Sequence, residues 1–408
     1  MEVMKKKFNS KYLFLFLIFS LIITIISLWI LKYCFGYFFV SSELEFLHDS
    51  SDIVYVDKSK FLILGNTFIG TPSEVFDLKT QKSYIYKFPE TIQYFPQGLV
   101  IDKNKLLLLK TCNNGFCGNS TLYNLNTHNI DYIFKNTFHV HNDHINKYLQ
   151  AYLLLNNNNV LYLASVYSGQ ENYGEIGIFD IYNHKINSNI LNDNLYKAKA
   201  IQINNEEVLI TNIKSAYIYN IKTNQLQNLD FIYTDNLNKI SNIQHVSNIL
   251  KVKDKVLIFM YITDDKYKNV NLTYEFDIKT KKIKKLTSSK ILRDYNINND
   301  VNSISNITNL NDRYLLITGG ITSCNRLIAM LKGHYKYLSS AEIYDIQTDK
   351  YFKINNMPYS KAGHRAVILS NGDVLFLGGK SCEFSDFCNP NDSKKNIIFK
   401  VLNKGAKK

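Results

Sequence analysis

Apolar and polar positions follow one local phrase that returns seven times between residues 53 and 377: an apolar strand, a polar turn of about four residues, then a tight apolar run. The copies read IVYVDKSKFLIL, GLVIDKNKLLLL, YLLLNNNNVLYL, IQINNEEVLIT, ILKVKDKVLIF, TNLNDRYLLIT and VILSNGDVLFL. Each predicts a β-hairpin, because two apolar runs flank a turn of Asp, Asn, Lys or Gly. The turn residues Asp57, Asp102, Asn156, Asn204, Lys253, Asn311 and Ser370 stand 45 to 59 residues apart. That is the period of propeller blades.

A second phrase follows each of the first six hairpins. It ends a third strand with an aromatic residue and then Asp or Asn: Phe76-Asp77, Tyr123-Asn124, Phe179-Asp180, Tyr219-Asn220, Phe276-Asp277 and Tyr344-Asp345. The Asp or Asn side chain suits a turn because it can accept from the backbone N–H groups just beyond it. A fourth strand such as KSYIYKF then completes the unit. The seventh unit has only IIFKVL at 397–402 as its third strand, so closure by an N-terminal strand is expected, with LEFLH at 44–48 as the candidate. The fold predicted is an all-β propeller of seven blades, six or eight being the alternatives, over residues 44–404.

The sixth and seventh units carry LLITGG with Gly319-Gly320, IYDIQTDKY with Tyr344, Asp345 and Tyr351, and VLFLGGK with Gly378-Gly379. Over residues 310–380 this resembles the kelch-repeat β-propeller family. The resemblance implies a double glycine after the second strand, Tyr-Asp on the third, and an aromatic, here Tyr351, in a place where Trp is usual. It implies close backbone approach at the glycines. In units one to five other residues replace the double glycine.

Before the repeats, Tyr12–Leu31 gives an uncharged apolar stretch, long enough to cross a hydrocarbon core of about 30 Å. Lys5, Lys6, Lys7 and Lys11 precede it, and Glu43, Glu45, Asp49 and Asp52 follow Lys32. The positive-inside rule then makes 1–11 a cytoplasmic tail, 12–31 a transmembrane signal-anchor helix, 32–43 a linker, and the repeats extracytoplasmic. A cleaved signal peptide is the alternative, disfavoured by the length of the stretch and the lack of an A-x-A-like site.

The net charge of +13 is Lys-driven and scattered. Nucleic-acid binding would need a clustered basic stripe, and none is present. In an exported domain the pairs Cys112/Cys117 and Cys382/Cys388 are candidates for short-loop disulfides, with free thiols or a metal site as alternatives. Cys324 has no evident partner. The string His139, His141, Asp143, His144 fits H-x-H-x-D-H, a ligand pattern of two-metal hydrolases. Here it sits in a connector between blades and reads first as a solvated polar loop.

No G-x-S-x-G, H-E-x-x-H, Walker or Rossmann pattern is present. The sequence therefore predicts a membrane-anchored binding module for a protein or glycan partner, with no cofactor, no catalytic residue and no defined binding residue. The alternative is an envelope enzyme on the same scaffold, of sugar-isomerase, oxidase or metal-dependent hydrolase type.

Overall fold

The structure is a computed structural model. It describes residues 37–43, 53–57, 59–64, 72–89, 97–102, 104–109, 120–134, 146–167, 172–192, 195, 197–212, 215–229, 244–263, 269–291, 307–323, 335–379 and 395–401. Strand β1 (Tyr37–Glu43) comes first. Blade one is β2 (Ile53–Asp57), β3 (Lys60–Ile63), β4 (Ser73–Asp77) and β5 (Lys82–Tyr86). Blade two is β6 (Gln97–Asp102), β7 (Lys105–Leu109), β8 (Ser120–Asn124) and β9 (Asn129–Phe134). Blade three is β10 (Asn146–Leu154), β11 (Val160–Tyr167), β12 (Asn172–Asp180) and β13 (Lys185–Leu191).

Blade four is β14 (Lys199–Gln202), β15 (Glu207–Thr211), β16 (Ala216–Asn220) and β17 (Gln225–Leu229). Blade five is β18 (Gln244–Val252), β19 (Lys255–Thr263), β20 (Asn269–Asp277) and β21 (Ile283–Leu286). Blade six is β22 (Ile307–Asn309), β23 (Tyr314–Thr318), β26 (Ala341–Asp345) and β27 (Lys350–Lys353), with the small hairpin β24 (Ile321–Ser323) and β25 (Tyr335–Tyr337) inserted in it. Blade seven is β28 (Arg365–Ile368), β29 (Val374–Leu377) and β30 (Lys395–Val401), and β1 adds its outermost strand.

The molecule is thus an antiparallel propeller of seven four-stranded blades. Its ring is closed by pairing β1 with β30, from Tyr37 opposite Val401 to Glu43 opposite Lys395. The closing strand lies several residues before LEFLH, in the stretch read as linker. Tyr37–Glu43 continues the apolar character of the residues before it, which hides a strand boundary from a hydropathy reading. The expected anchor at 12–31 lies outside the described residues, and among the described residues no helix is long and apolar enough to cross a membrane.

The second strand of each blade explains the tight apolar runs. It is buried on both sides: Leu106 and Leu108 of β7 pack toward blade one, while Leu107 and Leu109 pack toward blade three. Seven inter-blade cores result, and the last joins Leu375, Leu377 and Ile398 of blade seven to Phe61, Ile63 and Phe76 of blade one. Outer strands have water on their far edge, and β5, β13 and β27 are mostly exposed along their length.

Candidate recognition face

Antiparallel order sorts the connections to two ends of the ring. First-to-second and third-to-fourth strand turns share one end, and all are tight. Second-to-third connections and blade-to-blade crossovers share the other, and these include 230–243, 287–306, 319–340 and 378–394. Length variation is therefore confined to one end, the arrangement in which a rigid scaffold presents recognition loops.

At that connection end the inner strands of blades three and five are the longest, and each carries a bulge, between Leu149 and Ala151 and between Val246 and Asn248. Bulges let an inner strand bend and redirect side chains. Ser247, the extra residue of the second bulge, is buried and donates from Oγ to the Phe259 carbonyl at 2.9 Å. Asn212 lies at the end of β15, and its Oδ1 accepts from the Ser215 N–H at 2.8 Å. The start of β18, after the 230–243 connection, and the short β15–β16 connection are thus held by internal hydrogen bonds.

Between blades six and seven the two double glycines meet one crossover segment. Gly319 has φ +60°, and a Cβ there would lie 2.0 Å from the Lys361 carbonyl oxygen. Gly379 has φ +84°, and its Cβ would lie 2.7 Å from the Ala362 carbonyl oxygen and the His364 nitrogen. Only glycine accepts both the left-handed backbone and the approach. Gly320 N–H donates to the same Lys361 carbonyl at 2.9 Å. The Lys361 side chain is buried and donates from Nζ to the Gly378 carbonyl at 2.8 Å. His364 is buried too, with Nε2 3.0 Å from Thr318 Oγ1 and its ring edge-on to Phe376. This is a lock between blades, made of groups that would be costly to bury without such partners.

Tyr344, Asp345 and Tyr351 lie at the opposite, tight-turn end. Asp345 receives the Arg313 guanidinium at 2.9 and 3.2 Å and the Gln347 N–H at 3.0 Å. The Arg313 hydrogen bonds outweigh burial and hold its pKa down to about 2. Tyr344 donates to Asp349 at 2.7 Å and packs on Tyr351, whose hydroxyl is 3.1 Å from Thr273 Oγ1 in blade five. Burial, then the Asp349 contact, pushes the Tyr344 phenol far up.

One device in these turns escaped the sequence reading. Four residues after each Asp or Asn, Gln81, His128, His184, Asn224, Lys281 and Asp349 all have φ between 52° and 57°. Five of these six reach back to the preceding blade. His128 Nδ1 is 2.8 Å from Tyr86 Oη, His184 stacks on Tyr132, and the Asn224 carbonyl accepts from Asn189. Lys281 pairs with Glu207, and Asp349 accepts from Thr287 N and Oγ1. The position is constant while its chemistry changes, so no residue motif marks it.

Cys112, Cys117, Cys382 and Cys388 lie outside the described residues, as do His139, His141, Asp143 and His144. Among the described residues no three His, Cys, Asp or Glu side chains stand together as metal ligands. No family model matches the chain. No curated protein matches it either. A solved structure described as a novel fungal alcohol oxidase with catalytic diversity among the AA5 family, in complex with copper, is similar to it. The TM-score is 0.59 at 10% identity, covering 89% of this chain and 76% of that one. At that identity the likeness concerns architecture, and the architecture is the seven-bladed β-propeller described above.

Proposed function

We propose that the chain is a tethered recognition module of kelch type, binding a protein or glycan partner outside the cytoplasm through the connection end of its ring. The observation that carries this reading is the segregation of every long connection to one end, over strand ends held rigid by buried hydrogen bonds. Supporting it, Tyr37 pairs with Val401 and so enters at the tight-turn end. A tether formed by 12–31 then leaves the connection end facing away from the bilayer. The double glycines of blades six and seven and the Tyr-Asp of blade six support the kelch reading.

A photo-crosslinking residue at Thr322, on the inserted hairpin, should capture a partner in the native envelope, whereas one at Lys222, in a tight turn, should not. Capture at Lys222 alone would sink the reading. A C-terminal reporter active only outside the cytoplasm tests the topology, and changing Lys5, Lys6, Lys7 and Lys11 to Glu should lower its activity.

The architectural likeness to a copper-bound alcohol oxidase favours a second reading, an enzyme. Among the described residues no three His, Cys, Asp or Glu side chains stand together, so any metal ligands drawn from those types would come from elsewhere in the chain. The string His139, His141, Asp143, His144 is the remaining candidate. Stoichiometric metal in the purified chain, lost when the three His become Ala, would put the enzyme first.

A further inference from the structure

Among the described residues no further strand pairs with the outermost strand of any blade, and such edges template pairing with another chain unless blunted. Most are blunted by charge or brevity. An antiparallel self-pairing of β21 centred on its middle would set Lys284 against Lys285 of the partner subunit, and the same pairing of β27 would set Lys350 against Lys353 of the partner subunit. Strand β9 carries Asp131, and β5 (KSYIY) and β17 (QLQNL) are limited by their length of five residues.

Strand β13 differs. It reads KINSNIL over Lys185–Leu191, with its charge confined to the first position, no proline and no bulge against β12. Its centre, Ile186-Asn187-Ser188-Asn189-Ile190, is a palindrome. Ile190 is 70% exposed, more than any other large apolar side chain among the described residues, and Ile186 is 38% exposed. Register against β12 places Ile186 opposite Phe179, Ser188 opposite Gly177 and Ile190 opposite Glu175, so the three side chains share one sheet face.

We propose that β13 is a homodimer edge, pairing antiparallel with β13 of a second copy about a two-fold axis through Ser188. A second copy presents the same palindrome, so the two edges meet the self-complementarity of an isologous interface. In this register Ile186 lies against Ile190 of the partner subunit, Ile190 against Ile186 of the partner subunit, and Ser188 against Ser188 of the partner subunit. Four isoleucines then line one face of a continuous eight-stranded sheet. On the other face each Asn187 lies against Asn189 of the partner subunit, whose Nδ2 also donates to the Asn224 carbonyl of its own chain and has a second hydrogen to give. Apolar cross-strand pairs stabilise such a ladder. The contact is small by the standard of stable interfaces, so the dimer is reversible and concentration-dependent.

The test uses the full chain in mild detergent, oxidised and mapped by linked peptides. Ser188→Cys should form a 188–188 disulfide, because directly opposite residues meet the Cα separation a disulfide needs. Ile190→Cys alone should form no 190–190 link, since those positions are offset by roughly 13 Å. An equal mixture of Ile186→Cys and Ile190→Cys proteins should give 186–190 links. Ile190→Lys, at an exposed position, should keep the fold by circular dichroism and weaken the dimer about tenfold in sedimentation. A chain monomeric at every concentration, a dimer without 188–188 linkage, or a 190–190 link would overturn the proposal.

Discussion

The His184 imidazole lies flat on the Tyr132 ring, with centroids 3.6 Å apart and planes 9° from parallel. His184 belongs to a turn of blade three, and Tyr132 to the outer strand of blade two. Phe134 stands edge-on to the same imidazole. The contact therefore joins two blades at their periphery, where the apolar core between them has thinned.

Replacing His184 by Ala should cost about 1 kcal/mol of stability from the lost stacking, on top of any area effect. His184→Gly loses the same contact but suits the positive φ of 56°. It should therefore unfold at higher denaturant than His184→Ala, by roughly 1 kcal/mol. Equal midpoints for the two variants would show that backbone conformation contributes nothing here.

The glycines separate crowding from backbone strain. Gly319→Ala drives a Cβ into the Lys361 carbonyl and should cost about 3 kcal/mol. Gly372 also has positive φ, yet a Cβ there meets nothing within 4 Å. Gly372→Ala should cost only about 1 kcal/mol. Chemical denaturation of both variants gives the comparison, and a small effect at Gly319 would contradict the described approach of the strands.

Tyr162 crosses over Gly177 to donate to the buried Glu175 at 2.5 Å. Tyr162→Phe removes that donor and should cost about 1–3 kcal/mol. Gly177→Ala should be severe alone and milder in a Tyr162→Leu background, because the ring that the Cβ would strike is gone. A double-mutant cycle reads the coupling directly.

Acid should loosen blade six at Asp345. Its folded pKa of about 2 is below the roughly 3.9 of an unfolded Asp. The contribution is therefore present above about pH 4 and lost as pH falls toward 2. Asp345→Asn should flatten that part of the stability profile. An unchanged acid limb in the Asn variant would remove the assignment.

Most of the sheet framework can be read from the sequence, because second strands buried on both faces appear as unbroken runs such as LLLL at 106–109 and VLFL at 374–377. Turns were equally legible through Asp and Asn, whose oxygens accept from the next N–H groups, as Asp277 does from Lys279 and Thr280. Strand β1 is displaced because Tyr37–Val40 follow closely on an apolar stretch interrupted by Lys32 alone. The β24–β25 hairpin escaped because three-residue strands have too little pattern to stand out. Lys361 reads as a surface residue by type, and only the crossover between two double glycines makes it buried. The turn-to-blade contacts were illegible since Gln, His, Asn, Lys and Asp share a backbone conformation there and no side-chain chemistry.

Pairing β1 with β30 also sets a clock. Residues 37–43 emerge early in synthesis and find their partners at 395–401 only at the end. At ordinary elongation rates the interval is on the order of tens of seconds. Through that time Phe61, Ile63 and Phe76 lack the blade-seven residues that cover them in the finished ring. Six blades can assemble in order from local hairpins, but the seventh interface must wait for the last strand. A nascent chain stalled before residue 395 thus holds a sticky apolar seam and an orphan strand, and its survival depends on how quickly translation resumes.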